Sequence, residues 1–365
     1  MRLLHVITAL HTGGAERIMA QLSHEWAADH ELHLAYLKPV RTLAPLFHPA
    51  THMHEIGLGR HSLGALRSLY RQVKPDVVHT HLVHADLLGL VAAKGLPSQA
   101  WLTLHNAHFR TDARDFVFQT AYRMLFAYMG SSVQAVAISE AVKQHAERSW
   151  RLKPGQVHKL LNPLTPPKPR LERAEARQQL GLSVDEPVFV FLGRLEPQKG
   201  LIYLLHALAL LRADGRQPKV YIVGEGSLAP SLKEEAERLG LMEGKRVVFT
   251  GLSAEPGLYL SAADALLLPS LFEGLGNVVL EAFSFGLPVI ASAVEGPAEI
   301  IQDGMTGMLV PPAQPDALAA AIRSLMDTPS LLGTMGNAAA EIAAGWPGYQ
   351  QYAKALIDLY TSRGM

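Results

Sequence analysis

Two glutamates, Glu273 and Glu281, close the stretch Glu-Gly-Leu-Gly-Asn-Val-Val-Leu-Glu, one before a helix and one about two turns along it. Between them Gly274, Leu275, Gly276 and Asn277 form a turn that supplies backbone N–H groups. A glycine-bearing loop feeding a helix N-terminus is an anion site, because unpaired N–H groups and the helix dipole converge there. A carboxylate does not help to bind a diphosphate, so the two glutamates need another task, such as gripping sugar hydroxyls. Upstream, Arg194 and Lys199 flank a turn in Gly193-Arg-Leu-Glu-Pro-Gln-Lys-Gly200. At a strand end this is a place for a phosphate clamp, with Arg as a planar fork and Lys as a point charge. The plainer alternatives are a helix with one exposed and one capping Glu, and two surface cations.

The elements around these residues are readable. Ala265–Leu268 is a short apolar run suited to a buried strand and is ended by Pro269. Asn277 to Phe285 has helical spacing, with Gly286 as a C-terminal cap and Pro288 as a stop. Val188–Gly193 is a buried strand, followed by a helix from Leu201 to about Leu211. Lys219-Val-Tyr-Ile-Val-Gly224-Glu-Gly226 is another strand and turn, but Pro230 stands near the place of the third glycine of a dinucleotide fingerprint. Val247 to Leu252 repeats the strand-and-turn pattern.

The first half follows the same rhythm. Leu3–Leu10 reads as a strand, His11-Thr-Gly13-Gly14-Ala-Glu16 as a loop, and Arg17 to about Ala27 as a helix. The adjacent glycines let backbone approach a ligand closely, although a plain βα turn needs no more. Further strands fall at Leu32–Leu37, Val77–His79, Ala100–Leu104 and Ala135–Ser139, separated by helical stretches. Such alternation implies parallel sheets with helices on both faces. His105 stands just past a strand end, where ligands of open α/β sheets collect. His79, His81 and His84 have spacing that invites a metal, but no acidic partners accompany them. Acceptor-side or structural roles suit them better, and no metal site is assigned.

Length and composition set the frame. With 365 residues the chain is long enough for two domains, each burying its own core. Hydrophobic residues make up 48% and charged ones 18%, as in a soluble globular protein, and no apolar run is long enough to span a bilayer. The apolar start is too short for a signal peptide and reads as a first strand. The absence of cysteine excludes disulfides and thiolate metal sites. Net charge is zero, yet residues 1–165 carry 17 Lys and Arg against 11 Asp and Glu, and 16 of the 17 histidines. That imbalance suits an anionic surface or substrate, or scatter on a solvated face. No nucleic-acid partner is expected, and a cytoplasmic location is.

Asn162-Pro-Leu-Thr-Pro-Pro-Lys-Pro169 cannot continue regular structure and marks the linker. The expected domains are residues 1–165 and 180–346, with a charged helix at Leu171–Leu180 and a terminal helix from Trp346 to Tyr360. His108 to Gly130 interleaves Phe109, Phe116, Phe118, Tyr122, Phe126 and Tyr128 with Arg110, Arg114 and Arg123. Most of the aromatics suit core packing. The three arginines are candidates for an acceptor or for anionic lipid headgroups.

In order along the chain, the Gly-Gly-Ala-Glu loop, the strand-end His105, the Gly-Arg-…-Lys-Gly clamp, the spaced glutamates and the closing helix resemble the retaining GT-B glycosyltransferases of family four. The resemblance covers most of the chain and is most specific over residues 188–300. It implies two Rossmann-like, doubly wound α/β domains facing across a cleft, the N-terminal one for the acceptor and the C-terminal one for the nucleotide sugar. The last helix, about 347–365, would pack back on the first domain. It implies a hexosyltransferase that moves a sugar, with retention, from a nucleoside diphosphate sugar, UDP favoured. The acceptor would be a cell-surface glycan precursor, lipid-linked or a lipopolysaccharide core.

The residue roles follow from the same resemblance. Arg194 and Lys199 would hold the diphosphate, Glu273 the donor sugar, Glu281 the ribose hydroxyls, and His105 the sugar near its anomeric centre. Backbone at Leu252 would meet the nucleobase. Gly13, Gly14, Gly193, Gly224 and the run Gly274, Leu275, Gly276 and Asn277 complete the donor site. The sequence contains no Asp-x-Asp to bring a divalent cation, so no metal or other cofactor is expected. Peripheral contact with the inner face of the cell membrane is a further expectation. A nucleotide-sugar epimerase of similar fold and a non-catalytic nucleotide-sugar-binding protein are the alternatives.

Overall fold

The computed structural model describes residues 1–11, 13–106 and 113–362, the side chains of 113–115 excepted. It forms two compact units, Met1–Pro163 with Pro347–Met365, and Leu164–Trp346. The first is built on β1 (Arg2–Ile7), β2 (Glu31–Tyr36), β3 (His52–Glu55), β4 (Val77–His81), β5 (Gln99–Leu104), β6 (Val133–Ala137) and β7 (Val157–Lys159). These strands are all parallel, in the order β3-β2-β1-β4-β5-β6-β7. Helices α1 (Gly14–Trp26), α2 (Ser62–Val73), α3 (Val83–Ala93), α4 (Ala113–Met129) and α5 (Glu140–Ser149) connect them.

The central strands are buried along most of their length, because helices cover both faces of a parallel sheet, and most of their residues are apolar. The outermost strands, β3 and β7, read His-Met-His-Glu and Val-His-Lys, and the apolar pattern gave no sign of them. Polar edge strands of this kind blunt unwanted pairing. Ser139 ends the β6 segment as the N-cap of α5, its Oγ accepting from Val142 N at 3.2 Å.

The second unit starts with α6 (Arg173–Gln179) and carries β8 (Val188–Leu192), β9 (Lys219–Val223), β10 (Val247–Gly251), β11 (Ala265–Leu268), β12 (Val289–Ser292) and β13 (Gly307–Val310). They too are all parallel, in the order β10-β9-β8-β11-β12-β13. Around them lie α7 (Leu201–Ala213), α8 (Ala229–Arg238), α9 (Pro256–Ala262), α10 (Asn277–Ser284), α11 (Glu295–Ile300), α12 (Pro315–Asp327) and α13 (Ser330–Ala344). Phe189 and Phe191 of β8 pack with Leu204, Leu205 and Leu208 of α7 and Leu318 and Ile322 of α12. Each sheet reverses its strand order once, at β1/β4 and at β8/β11, and such switch points open crevices at the carboxyl ends of strands.

The last helix, α14 (Tyr349–Thr361), belongs to the first unit. Tyr352, Ala353, Leu356 and Tyr360 form its buried stripe and join the core of Leu3, Ile7, Trp26 and Trp101. The Tyr360 hydroxyl meets His79 Nδ1 at 2.5 Å, and its carbonyl accepts from Gln99 Nε2 at 3.0 Å.

The charged helix α6 hides one of its charges. Arg177 is 1% exposed and pairs through Nη2 with both oxygens of Asp264, at 3.2 and 3.1 Å. Its other N–H groups reach the carbonyls of Ala262, Ser183, Val184 and Glu186. Asp264 also accepts from Val188 N at 2.8 Å and pairs with Arg173, so one carboxylate ties α6 to the start of β8. Removing Arg177 would leave Asp264 with only the more exposed Arg173 as a cation and strip four carbonyls of their donor. Arg177→Met should therefore cost about 3–5 kcal/mol in urea unfolding of the full chain, and adding Asp264→Asn should recover part of that loss.

Candidate functional site

In the second unit Arg194, Lys199, Glu273 and the run Gly274 to Asn277 follow β8 and β11, the strands of the switch point, whereas Gly224 follows β9 and Leu252 follows β10. The loop after β8 runs from Gly193 to a 3-10 turn at Pro197–Lys199, and the loop after β11 from Pro269 to Gly276. Leu271 N donates to Gln198 O at 2.8 Å, and Gln198 Nε2 to Phe272 O at 2.9 Å. Gly200 brings the two backbones together: its φ is +62°, and a Cβ there would lie 2.1 Å from Pro269 O. Lys199 Nζ then pairs with Glu273 Oε1, which also accepts from Ser270 Oγ at 2.7 Å. Both side chains of the pair are largely buried. Three donors on Nζ leave Lys199 two N–H groups beyond this contact, and Glu273 keeps its second oxygen.

Beside this pair α10 begins. Gly276 adopts a left-handed conformation at φ +84° as its N-cap, and no side chain caps the helix or places an acid in its first turn. The first N–H groups of a helix have no intrahelical partners, and with the helix dipole they favour an anion. Gly274 and Leu275 are buried behind it, and Gly296 lets α11 press on Leu275, with a Cβ position 2.8 Å from Leu275 Cα. Asn277 and Glu281 lie half-buried on α10, one turn apart. Arg194 is exposed, Gly193 adjoins Lys199, and Leu252 is exposed beyond β10.

The Gly-x-Gly after β9 serves packing. A Cβ on Gly224 would lie 1.9 Å from Gly193 O, and one on Gly226 2.3 Å from Leu195 O. Glu196 completes the clip by accepting from Ser227 N at 2.9 Å and Ser227 Oγ at 2.7 Å, bonds that hold its carboxyl below the usual range.

In the first unit Gly13 is the N-cap of α1 and Gly14 its first residue. The buried Glu16 folds its carboxylate back over Gly13, 2.2 Å from where a Cβ would stand, so a side chain at position 13 would displace that carboxylate. His105 follows β5 and joins a cluster that the sequence reading only partly anticipated. His5, His79 and His81 are buried and stacked, with ring centroids 4.7 to 5.3 Å apart. His105 Nε2 lies 3.4 Å from His81 Nδ1, and His81 Nε2 lies 3.0 Å from His5 Nδ1. His79 instead bonds Tyr360 and Thr103. His84 is exposed and not part of the stack. The pairing of β1 with β4, which sets His5 opposite His79, is what sequence spacing could not reveal.

Arg110 lies outside the described residues, as does the side chain of Arg114. Arg123 is exposed, and its Nε donates to Ser149 O at 2.7 Å. The α4 aromatics divide: Tyr122 and Phe126 are buried against Trp150, while Phe116 and Tyr128 are exposed. Among the described residues one group has ligand atoms within metal-binding reach of one another, Glu31, His33 and His52 on the outer strands β2 and β3.

Burial holds the stacked imidazoles neutral: the pKa of His5 falls to about 3 and that of His105 to about 4, with His79 and His81 also lowered. Unfolded, each would titrate near 6.5. Folded values below unfolded ones mean that this stability is complete above pH 6.5 and is lost as pH falls towards the folded values. Asp86, buried between Thr80 and Tyr122 with its pKa raised to about 7, acts in the opposite sense. A difference between variants isolates the histidine contribution. His5→Phe should be less stable than wild type at about pH 7, and the gap in urea unfolding should narrow by about 2 kcal/mol at about pH 5.

Known proteins resemble this chain in sequence and fold. The family model described as Glycosyltransferase Family 4 matches residues 12–166, and that described as Glycosyl transferases group 1 matches residues 172–342. A D-inositol 3-phosphate glycosyltransferase of Streptomyces scabiei is 31% identical over 79% of this chain and 68% of its own length. An alpha-D-kanosaminyltransferase of Streptomyces kanamyceticus is 27% identical over 76% of this chain and 72% of its own. Among solved structures, Anabaena HepE in complex with UDP and glucose superposes with a TM-score of 0.85 at 20% identity, covering 99% of this chain and 100% of that one. Two parallel-sheet, Rossmann-like domains of this kind constitute the GT-B fold. The chain belongs to the group 1, family 4 glycosyltransferases.

Proposed function

We propose that this glycosyltransferase moves a hexose from a nucleoside diphosphate sugar, a UDP-sugar in first place, to a lipid-linked precursor of a cell-surface glycan, with retention of anomeric configuration. The observation that carries the reading is the joining of Lys199, Ser270 and Glu273 beside the uncapped start of α10. The diphosphate would lie against the N–H groups at Gly276 and Asn277, with the Arg194 fork and the remaining Lys199 donors on its oxygens. Charge that grows on the leaving diphosphate is then stabilised where it appears, the task that contributes most in many enzymes. Protein cations do this work, so transfer is metal-independent in this scheme.

The second oxygen of Glu273 would take sugar hydroxyls and Glu281 the ribose, with backbone at Leu252 on the base and Gly193 and Gly224 beside the donor. Gly13, Gly14 and His105 of the first unit would act on the sugar. The acceptor hydroxyl oxygen bonds to the anomeric carbon as the carbon–oxygen bond to phosphate breaks, and its proton passes to the departing diphosphate. Attack on the same face accounts for retention without a covalent intermediate. The UDP preference is supported by the UDP and glucose bound in the Anabaena relative.

A nucleotide-release assay over UDP- and GDP-sugars, with EDTA and a detergent-solubilised polyprenyl-diphosphate saccharide mixture, tests the scheme. Acceptor-dependent release should persist in EDTA, and Lys199→Ala should lower kcat/KM by about 10²–10³-fold. Release abolished by EDTA would refute metal independence, and conversion of the donor sugar without acceptor would point to an epimerase.

A second reading concerns place. Among the described residues no helix is long and apolar enough to cross a membrane. On α4, however, Phe116 is 73% and Met124 69% exposed, with Val117 and Tyr128 also open and Arg123 and Lys94 close by in the fold. An apolar helix face with basic neighbours suits an anionic bilayer surface, which favours peripheral work at the inner face of the cell membrane. Phe116→Ser with Met124→Ser should abolish flotation with anionic liposomes while leaving the melting temperature unchanged.

A further inference from the structure

We propose that His81 and His5 act as positioning residues that fix the tautomer of His105, so that His105 carries its proton on Nδ1 and offers that N–H to the donor sugar. This rests on the role proposed for His105 and goes beyond it, because it specifies which atom donates and what makes it do so.

A neutral imidazole has one N–H and one bare nitrogen. The contacts His105 Nε2 to His81 Nδ1 and His81 Nε2 to His5 Nδ1 form a chain in which each link needs one donor. Only two arrangements satisfy both links with neutral rings. In one, protons point from His5 towards His105, leaving His5 Nε2 bare. In the other they point inward, and His5 Nε2 must carry an N–H.

The buried end of the chain decides between them. His5 Nε2 is buried without a hydrogen-bond partner. Its neighbour Trp26, with ring centroid 5.3 Å away, presents another buried, unpartnered nitrogen, and indole Nε1 is a donor only. The inward arrangement would strand an N–H in the core beside a second donor, and orphaned buried N–H groups are rare. A bare His5 Nε2 leaves a lone pair there instead.

The proton of His5 therefore lies on Nδ1, that of His81 on Nδ1, and that of His105 on Nδ1. His105 Nδ1 makes no hydrogen bond among the described residues, so its N–H remains available to a hydroxyl oxygen. The 3.4 Å link is longer than the 3.0 Å link between His81 and His5. His79 lacks this determinism, because its partners Tyr360 and Thr103 are hydroxyls that either donate or accept.

The test is long-range proton–nitrogen NMR of the full chain labelled with ¹⁵N-histidine at neutral pH, with the His105 signals identified by their loss in His105→Gln. Wild type should show His105 protonated on Nδ1 and bare on Nε2. His81→Phe should shift His105 to the Nε2–H form that dominates free imidazole side chains. His81→Asn, whose amide N–H stands near the lost Nδ1–H, should keep the wild-type pattern. Should His81→Phe not fold, His5→Phe serves in its place, and it should leave His105 a mixture of the two tautomers. A wild-type His105 protonated on Nε2, or a tautomer indifferent to these variants, overturns the proposal.

Turnover supplies the second readout. His81→Phe should lower kcat/KM about tenfold, as for the loss of one well-placed hydrogen bond, and His81→Asn should restore most of it. The NMR result needs no donor, so it stands or falls separately from the donor reading. That reading fails if UDP-glucose, added as a probe, and every other sugar nucleotide tried leave the His105 signals unmoved.

Discussion

The contact between Lys199 and Glu273 is the constraint on which the second unit's working end depends. The two residues are 74 positions apart in the chain and leave different strands. Their union requires the loops after β8 and β11 to lie side by side, which Gly200 permits by presenting no Cβ to Pro269 O. Once the loops are joined, the start of α10 has nowhere else to go. Gly276 turns the chain into it and Gly296 lets α11 brace it from behind. A helix start with no cap of its own would be a defect elsewhere. Here it is held in place by an ion pair and three glycines, and the unlinked N–H groups of a helix start favour an anion.

The first unit uses the equivalent end of its sheet differently. Among the described residues no cation pairs with His5, His79, His81 or His105. A stack of neutral imidazoles fills the space between β1, β4 and β5, and burial keeps them uncharged. Stacked in this way, histidine serves as a flat apolar filler that also carries directional N–H groups. The second unit thus holds an ion pair at its strand ends, and the first a chain of directional hydrogen bonds.

Much of this was legible in the sequence, for identifiable reasons. Strands such as Val188–Leu192 are buried on both faces and spell themselves as apolar runs, and Lys199, Glu273 and Gly276 sit beside strand ends where chemistry collects. What escaped depends on pairing between distant segments. His5 lies inside an apolar strand, and only the register with β4 shows that it is a partner of His81. Arg177 looked like one charge among several on a surface helix, because its buried carboxylate lies 87 residues away. Gly224 and Gly226 spell two glycines of a dinucleotide fingerprint without the third, and the need for backbone to pass backbone there shows only in the fold. The edge strands β3 and β7 were unreadable because edges are built from residues that do not announce a strand.

The Tyr360 contact with His79 has a temporal consequence. The second unit is continuous in sequence, from Leu164 to Trp346, and can close its core as soon as it has been synthesised. The first unit cannot. Its sheet is made early, yet the groove that receives Tyr352, Leu356 and Tyr360 stays open until the entire second unit has left the ribosome. Domains ordinarily fold in the order they are made. In this chain the earlier one must wait for the later, with part of its apolar core uncovered until α14 arrives.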